Sequence, residues 1–193
     1  MTELLLVRHG ETDWNRDNRF QGHADPPLNG VGREQAHALA ELLADEPFTA
    51  VYTSPLRRAA ETAEIVAASH GLTPLEVDAL REVDVGSWQG LTRDDIERQF
   101  PDQFARWRDH GPGWEDGESY EEMGSRVVAG LLDIAKRHDG QRVLAVTHGG
   151  PIRAALAFAD GVSHADARAT GPRVGNCFVC GFVAEPGALR RLD

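Results

Sequence analysis

Short apolar runs that stop abruptly at polar clusters alternate along the chain with stretches whose apolar residues return every three or four positions. The first pattern marks buried strands and the second marks helices with one buried face. Residues 4–7 are all apolar and give way to Arg8-His9-Gly10. Residues 50–53 form a second such run and residues 73–77 a weaker third. The clearest, residues 142–146, runs straight into Thr147-His148-Gly149-Gly150. Residues 175–183 and 189–192 predict two further strands. Between these runs, Ala36, Leu39, Ala40 and Leu43 recur at helical spacing within residues 32–43. Ser54-Pro55 starts a helix reaching about Ser69, and Thr92 caps one reaching about Phe100. Ser119, with Glu122 three residues on, forms a capping box that opens a helix to about His138. A short helix follows Pro151 and projects Arg153. Residues 13–29, which include Gly22 and Pro26-Pro27, predict a long loop, as do residues 81–90 and the Gly- and Pro-rich break at 111–117.

Strands alternating with helices predict an α/β fold, a three-layer sandwich with a largely parallel central sheet and helices on both faces. The 193 residues suit a single domain, with residues 91–118 as a helical or loop cap segment. In such a sheet ligands bind beyond the carboxyl ends of the strands. His9-Gly10 and His148-Gly149 both fall at such an end, so both histidines are expected to face one site.

Composition narrows the partners. The net charge of −11 argues against nucleic acid or an anionic membrane as the main partner. It leaves room for a small anionic substrate, because a few focused cations can reverse the local potential. No stretch approaches the roughly 18 apolar residues of a membrane span, and the N-terminal residues lack the basic and apolar regions of a signal peptide. The only cysteines, Cys177 and Cys180, are spaced C-x-x-C. A redox or half-zinc site is the sharp reading. With no second pair nearby, two small apolar residues in the strand-like run 176–183 is the preferred one. Without a disulfide framework, a reducing cytoplasm is the expected location. Oligomeric state is left open, a homodimer included.

The chemistry starts at Arg8-His9-Gly10. A neutral imidazole is a capable nucleophile toward phosphorus, and an unperturbed pKa of about 6.5 makes that form available near neutrality. An adjacent guanidinium can bind two phosphate oxygens at once. Alone, this tripeptide fits a surface or packed histidine better than a nucleophile. The second strand-then-His-Gly arrangement at His148 changes that. So does Ser54-Pro55-Leu56-Arg57-Arg58-Ala59, where a helix N-terminus favours anions and Arg58 adds charge to it. Arg57 is expected on the solvated face.

These segments together resemble the histidine phosphatase superfamily, the phosphoglycerate-mutase-like proteins. The resemblance runs through residues 4–10, Glu11-Thr12-Asp13-Trp14-Asn15, Asn18-Arg19-Phe20-Gln21-Gly22, Asp25 and Leu28. It resumes at residues 54–59, Thr62-Ala63, Leu80-Arg81-Glu82, Gly86, Trp88-Gln89-Gly90 and residues 147–150. The resemblance implies that His9 attacks phosphorus, while Arg8, Arg58 and His148 hold the phosphoryl oxygens and stabilise the transition state. Asn15 would donate a further hydrogen bond. Glu82 would protonate the leaving alkoxide and then activate water, which requires a carboxyl that holds a proton amid phosphate charge. Thr12, Gln21, Gly22 and Gly149 would line the substrate side. No cofactor and no metal are implied. A zinc site from His9, His148 and Glu82 is conceivable by residue type, but two arginines in the pocket would repel a dication.

The resemblance covers phosphatases, which pass the phosphoryl group to water, and mutases, which return it to another hydroxyl. Phosphatase is the expectation here. The mutases carry a longer insert with an adjacent arginine pair, whereas residues 90–118 hold only Arg93, Arg98, Arg106 and Arg108. They also tend to have Tyr where this chain has Val85, and Asn where it has Gly150. A binding module without turnover is the remaining alternative, although its mark, loss of a catalytic residue, is missing. Trp107, Trp114 and Tyr120 are expected either to roof the pocket or to pack their segment onto the core.

Overall fold

The computed structural model describes residues 1–111 and 113–192, so Pro112, within the predicted break, lies outside the described residues. The strands are β1 (Thr2–Arg8), β2 (Phe48–Thr53), β3 (Leu75–Glu76), β4 (Arg142–Thr147), β5 (Val179–Glu185) and β6 (Ala188–Arg191). The helices are α1 (Asp13–Arg16), α2 (Gly30–Leu42), α3 (Arg57–Ala68), α4 (Arg93–Gln99), α5 (Pro101–Arg108), α6 (Tyr120–Lys136), α7 (Gly149–Asp160) and α8 (His164–Thr170).

The strands form one six-stranded sheet in the order β3-β2-β4-β1-β5-β6. β3, β2, β4 and β1 run parallel, and β5 and β6 add an antiparallel edge. Both faces are covered, which explains why β1 and β4 are apolar without alternation. Leu4, Leu6, Val143 and Ala145 face a core shared with Met123, Val127 and Leu131 of α6 and Ile152 of α7. Val7, Leu144 and Val146 face the opposite core, with Leu39 and Ala40 of α2 and Ala59, Ala63 and Val66 of α3. The mostly parallel α/β sandwich predicted from the alternation is the observed fold.

Several boundaries differ from the sequence-based expectations. The third strand shrinks to two residues, which pair only with β2. The predicted strand from 175 starts at Val179 instead, because Cys177 adopts a left-handed φ of 54° in the preceding turn. The two cysteines therefore do not share a strand, and only Cys180 lies on β5. The helix after Ser54-Pro55 starts at Arg57, since Leu56 is still extended. α7 is not short: its twelve residues begin immediately after His148. Residues 13–29 contain one helical turn, α1, opened by a capping box on Thr12. α5 and α8 are unheralded by periodicity. Pro101 ends α4 but sits at the first position of α5, where its missing N–H costs nothing.

Candidate active site

Three adjacent parallel strands bring the site together. β4 lies between β2 and β1, with neighbouring strands spaced by about 4.8 Å. Arg8 pairs in register with Thr147, and Thr53 with Val146. One residue beyond, His9 N–H donates to Thr147 O and Ser54 N–H to Val146 O, both at 3.0 Å. The sheet thus sets His9, His148 and Ser54 side by side at its carboxyl edge, beneath a cavity of about 570 Å³.

The His9 and His148 rings meet edge to face with centroids 5.1 Å apart. His9 Nδ1 lies 2.7 Å from the Gly10 carbonyl, which can only accept, so Nδ1 carries the proton and Nε2 keeps its lone pair. Both imidazoles are held well below the usual histidine pKa. For each the largest cause is burial, and next is the charge of Arg58. His148 is fully buried; its Nε2 lies 2.8 Å from Ser54 Oγ, and its Nδ1 has no partner among the described residues.

The two cations are fixed by carbonyls. Arg58, completely buried on α3, donates to Ala24 O at 2.7 Å and Gly22 O at 2.9 Å. Gly22 itself needs glycine, with a φ of 51° and the Val85 side chain 2.7 Å from where a Cβ would lie. Arg8 donates to Val174 O at 2.7 Å. The Nε atoms of both guanidiniums are buried without partners among the described residues. Desolvation lowers the pKa of Arg8, and that of Arg58 to about 10. Two cations with buried, unused Nε donors form an arrangement that a phosphoryl dianion would complete.

Glu82 stands across the pocket. Its carboxylate accepts from Val83 N–H at 2.9 Å and from Gly150 N–H, in the first turn of α7, at 3.2 and 3.3 Å. Asn15, Gln21, Gly22 and Gly149 line the cavity wall. Thr12 is fully buried behind them, its hydroxyl 3.1 Å from both Asn15 Oδ1 and Gln21 Oε1. Trp107, Trp114 and Tyr120 do both things expected of them: they line the cavity, and they stack among Phe20, Trp88 and Phe104.

Two supporting residues escape sequence reasoning. Ser54 is visible there only as part of its motif. Asn176 donates to His9 O at 3.1 Å and Asn15 Oδ1 at 3.2 Å from an irregular loop, and no local signal marks it. Asn15 Oδ1 also accepts from Thr12 N–H, so its amide nitrogen is left for the pocket. Among the described residues no three His, Cys, Asp or Glu side chains are grouped to hold a metal. No helix is long and apolar enough to cross a membrane, among the described residues.

Known proteins fit this geometry. The chain is 37% identical over 156 residues to phosphoserine phosphatase 1 of Hydrogenobacter thermophilus, covering 80% of this chain and 74% of that protein. It is 42% identical over 159 residues to a metal-independent phosphoserine phosphatase of Arabidopsis thaliana, covering 80% and 67%. Some matching relatives carry phosphoglycerate-mutase names instead. Among solved structures, YhfR of Bacillus stearothermophilus superposes with a TM-score of 0.90 at 32% identity, over 99% of this chain and 95% of that one. The sequence profile of the histidine phosphatase superfamily, branch 1, matches residues 4–191, and the chain belongs to that family.

Proposed function

We propose that the protein hydrolyses phosphate monoesters of small molecules through a phospho-histidine formed on His9. The observation that carries this reading is the convergence of His9 and His148, rings 5.1 Å apart, with the buried Arg58 and the half-buried Arg8, whose Nε atoms are both buried and which have no carboxylate partners among the described residues. His9 Nε2 attacks phosphorus, and the P–O bond to the alcohol breaks. Arg8, Arg58, His148 and Asn15 hold the three equatorial oxygens as charge develops on them. Glu82 gives its proton to the leaving alkoxide, then takes one from a water that attacks phosphorus and breaks the P–N bond. Inorganic phosphate leaves and His9 is free again.

Metal is not required in this scheme, because the guanidiniums supply the positive charge and would repel a dication. The whole chain would act as one domain, with residues 91–118 as its cap. The unpaired thiols of Cys177 and Cys180 suit a reducing cytoplasm, our proposed location.

Water rather than a second hydroxyl is the acceptor in our reading. A Cβ at Gly150 would come within 2.3 Å of Glu82 Oε1, so this site is built around the small residue that differs from the mutases. The test is to supply 3-phosphoglycerate with catalytic 2,3-bisphosphoglycerate and follow both products. Release of free phosphate supports hydrolysis, and rapid formation of 2-phosphoglycerate in its place would make the protein a mutase.

A further inference from the structure

We propose that His23 and Arg126 are positioning residues for proton transfer: together they hold the backbone carbonyl of Glu82, and through it they aim the carboxyl group at the leaving oxygen. The proposal rests on the phosphatase reading above, in which Glu82 is the acid.

Residues 81–85 form neither helix nor strand. Such a backbone has no ladder to satisfy its carbonyls, so side chains must do it. Thr147 Oγ1 donates to Leu80 O at 2.6 Å, which ties the start of the segment to the end of β4. Arg126, half-buried on α6, reaches the rest. Its Nη1 donates to Ala79 O at 2.9 Å and Arg81 O at 3.1 Å, and its Nη2 to Glu82 O at 3.3 Å. Glu118 fixes the guanidinium, accepting from Nε at 2.8 Å on one carboxylate oxygen and from Nη2 at 2.6 Å on the other. Glu118 is itself held, since its N–H donates to Asp84 O at 2.9 Å. The fork cannot swing away from the carbonyls without breaking a bidentate ion pair that is mostly shielded from water.

His23 supplies the second donor. Its Nε2 lies 2.8 Å from Glu82 O. A carbonyl only accepts, so Nε2 carries the proton. The residues on either side, Gly22 and Ala24, are those whose carbonyls anchor Arg58. One tripeptide thus fixes the phosphoryl-binding guanidinium with its backbone and the acid with its side chain. Among the described residues the Glu82 carboxylate accepts from the Val83 and Gly150 N–H groups, not from His23 or Arg126. Both residues therefore act through the place they give its backbone. A displacement of about 1 Å at a catalytic group can cost roughly a hundredfold in rate.

The test compares kcat on p-nitrophenyl phosphate, whose leaving group needs less protonation, with kcat on 3-phosphoglycerate, an alkyl ester. His23→Leu and Arg126→Met should each lose roughly tenfold or more on the alkyl ester beyond any loss on the aryl ester. His23→Gln keeps a donor at similar reach and should recover most of the loss, whereas Arg126→Lys, without the fork, should not. Affinity for inorganic phosphate should change little in His23→Leu, because Arg58 keeps both of its carbonyls. A double-mutant cycle decides: in Glu82→Gln the alkyl-specific effect of His23→Leu should vanish, since the group being positioned is gone. Equal losses on the two esters, no rescue by Gln, a fall in phosphate affinity as large as the fall in kcat, or full additivity with Glu82→Gln overturns the proposal. If Arg126→Met fails to fold, Arg126→Lys and the His23 variants decide the matter. If Glu82→Gln itself shows no alkyl-specific loss, the acid assignment fails first and the positioning claim falls with it.

Discussion

The Glu82 carboxylate rests on the backbone of Gly150, whose N–H donates to both of its oxygens at 3.2 and 3.3 Å. The contact exists because residue 150 has no side chain: a Cβ would fall 2.3 Å from Oε1 and 3.0 Å from Met123 Sδ. A proton-transfer group must stay within hydrogen-bond reach of the leaving oxygen. Gly150→Ala should therefore push Glu82 out of position and lower kcat by roughly ten- to a hundredfold. The loss should be larger for an alkyl phosphate than for an aryl phosphate, whose leaving group needs less protonation. Steady-state rates on both esters check this, and equal losses would mean that the substitution acts elsewhere.

Ser54 should matter through His148. Its Oγ accepts from Leu56 N–H at 3.3 Å and lies 2.8 Å from His148 Nε2. A hydroxyl so placed can donate to Nε2 and leave the proton on Nδ1, ready for a phosphoryl oxygen. Ser54→Ala should weaken vanadate binding and lower kcat/KM by roughly tenfold or more, with the fold intact by circular dichroism. Unchanged affinity would show that the tautomer is set otherwise.

The buried histidines make the free protein sensitive to acid. His9 and His148 have folded-state pKa values well below their unfolded value near 6.5. The unfolded chain then binds more protons in that window, so stability is fully present above about pH 6.5 and falls as pH drops below it, by up to about 1.4 kcal/mol per pH unit for each histidine. Melting temperature should decline from pH 7 to pH 5, and less steeply in His148→Gln. Bound phosphate should restore part of the loss, because its charge favours imidazolium. A flat profile over that range would contradict the burial argument.

Chelation should leave turnover unchanged. The charge stabilisation is assigned to Arg8 and Arg58, and Arg58 is wholly buried with both Nη atoms on carbonyls. Assaying after exhaustive dialysis against a chelator, then with added zinc, checks it. Lost activity that zinc restores would require a different mechanism.

The sheet, and the histidines of the candidate site, are legible in the sequence because both depend on short-range patterns. An apolar run ending in His-Gly identifies a buried strand and places its histidine at the carboxyl edge, and this occurs at both His9 and His148. The family resemblance then supplies Arg58 and Glu82, which no periodicity could assign. What stays hidden depends on tertiary contacts. His23 is visible only as a loop histidine without a pattern, and Arg126 only as a charged residue on the helix after Ser119. Asn176 works from a turn whose backbone is set by the left-handed conformation of Cys177, and that same turn breaks the expected strand. α5 is hidden because Pro101 reads as a stop signal for α4 and equally suits the first position of a new helix.

The most direct test of the mechanism is to trap the intermediate. The enzyme should be mixed with a radiolabelled phosphate ester, quenched with base within milliseconds to seconds, and digested. A phospho-histidine mechanism predicts an acid-labile, base-stable phosphoryl group on the peptide containing His9, none on the peptide containing His148, and no label in His9→Ala. Turnover without any such label, or full activity in His9→Ala, would contradict it.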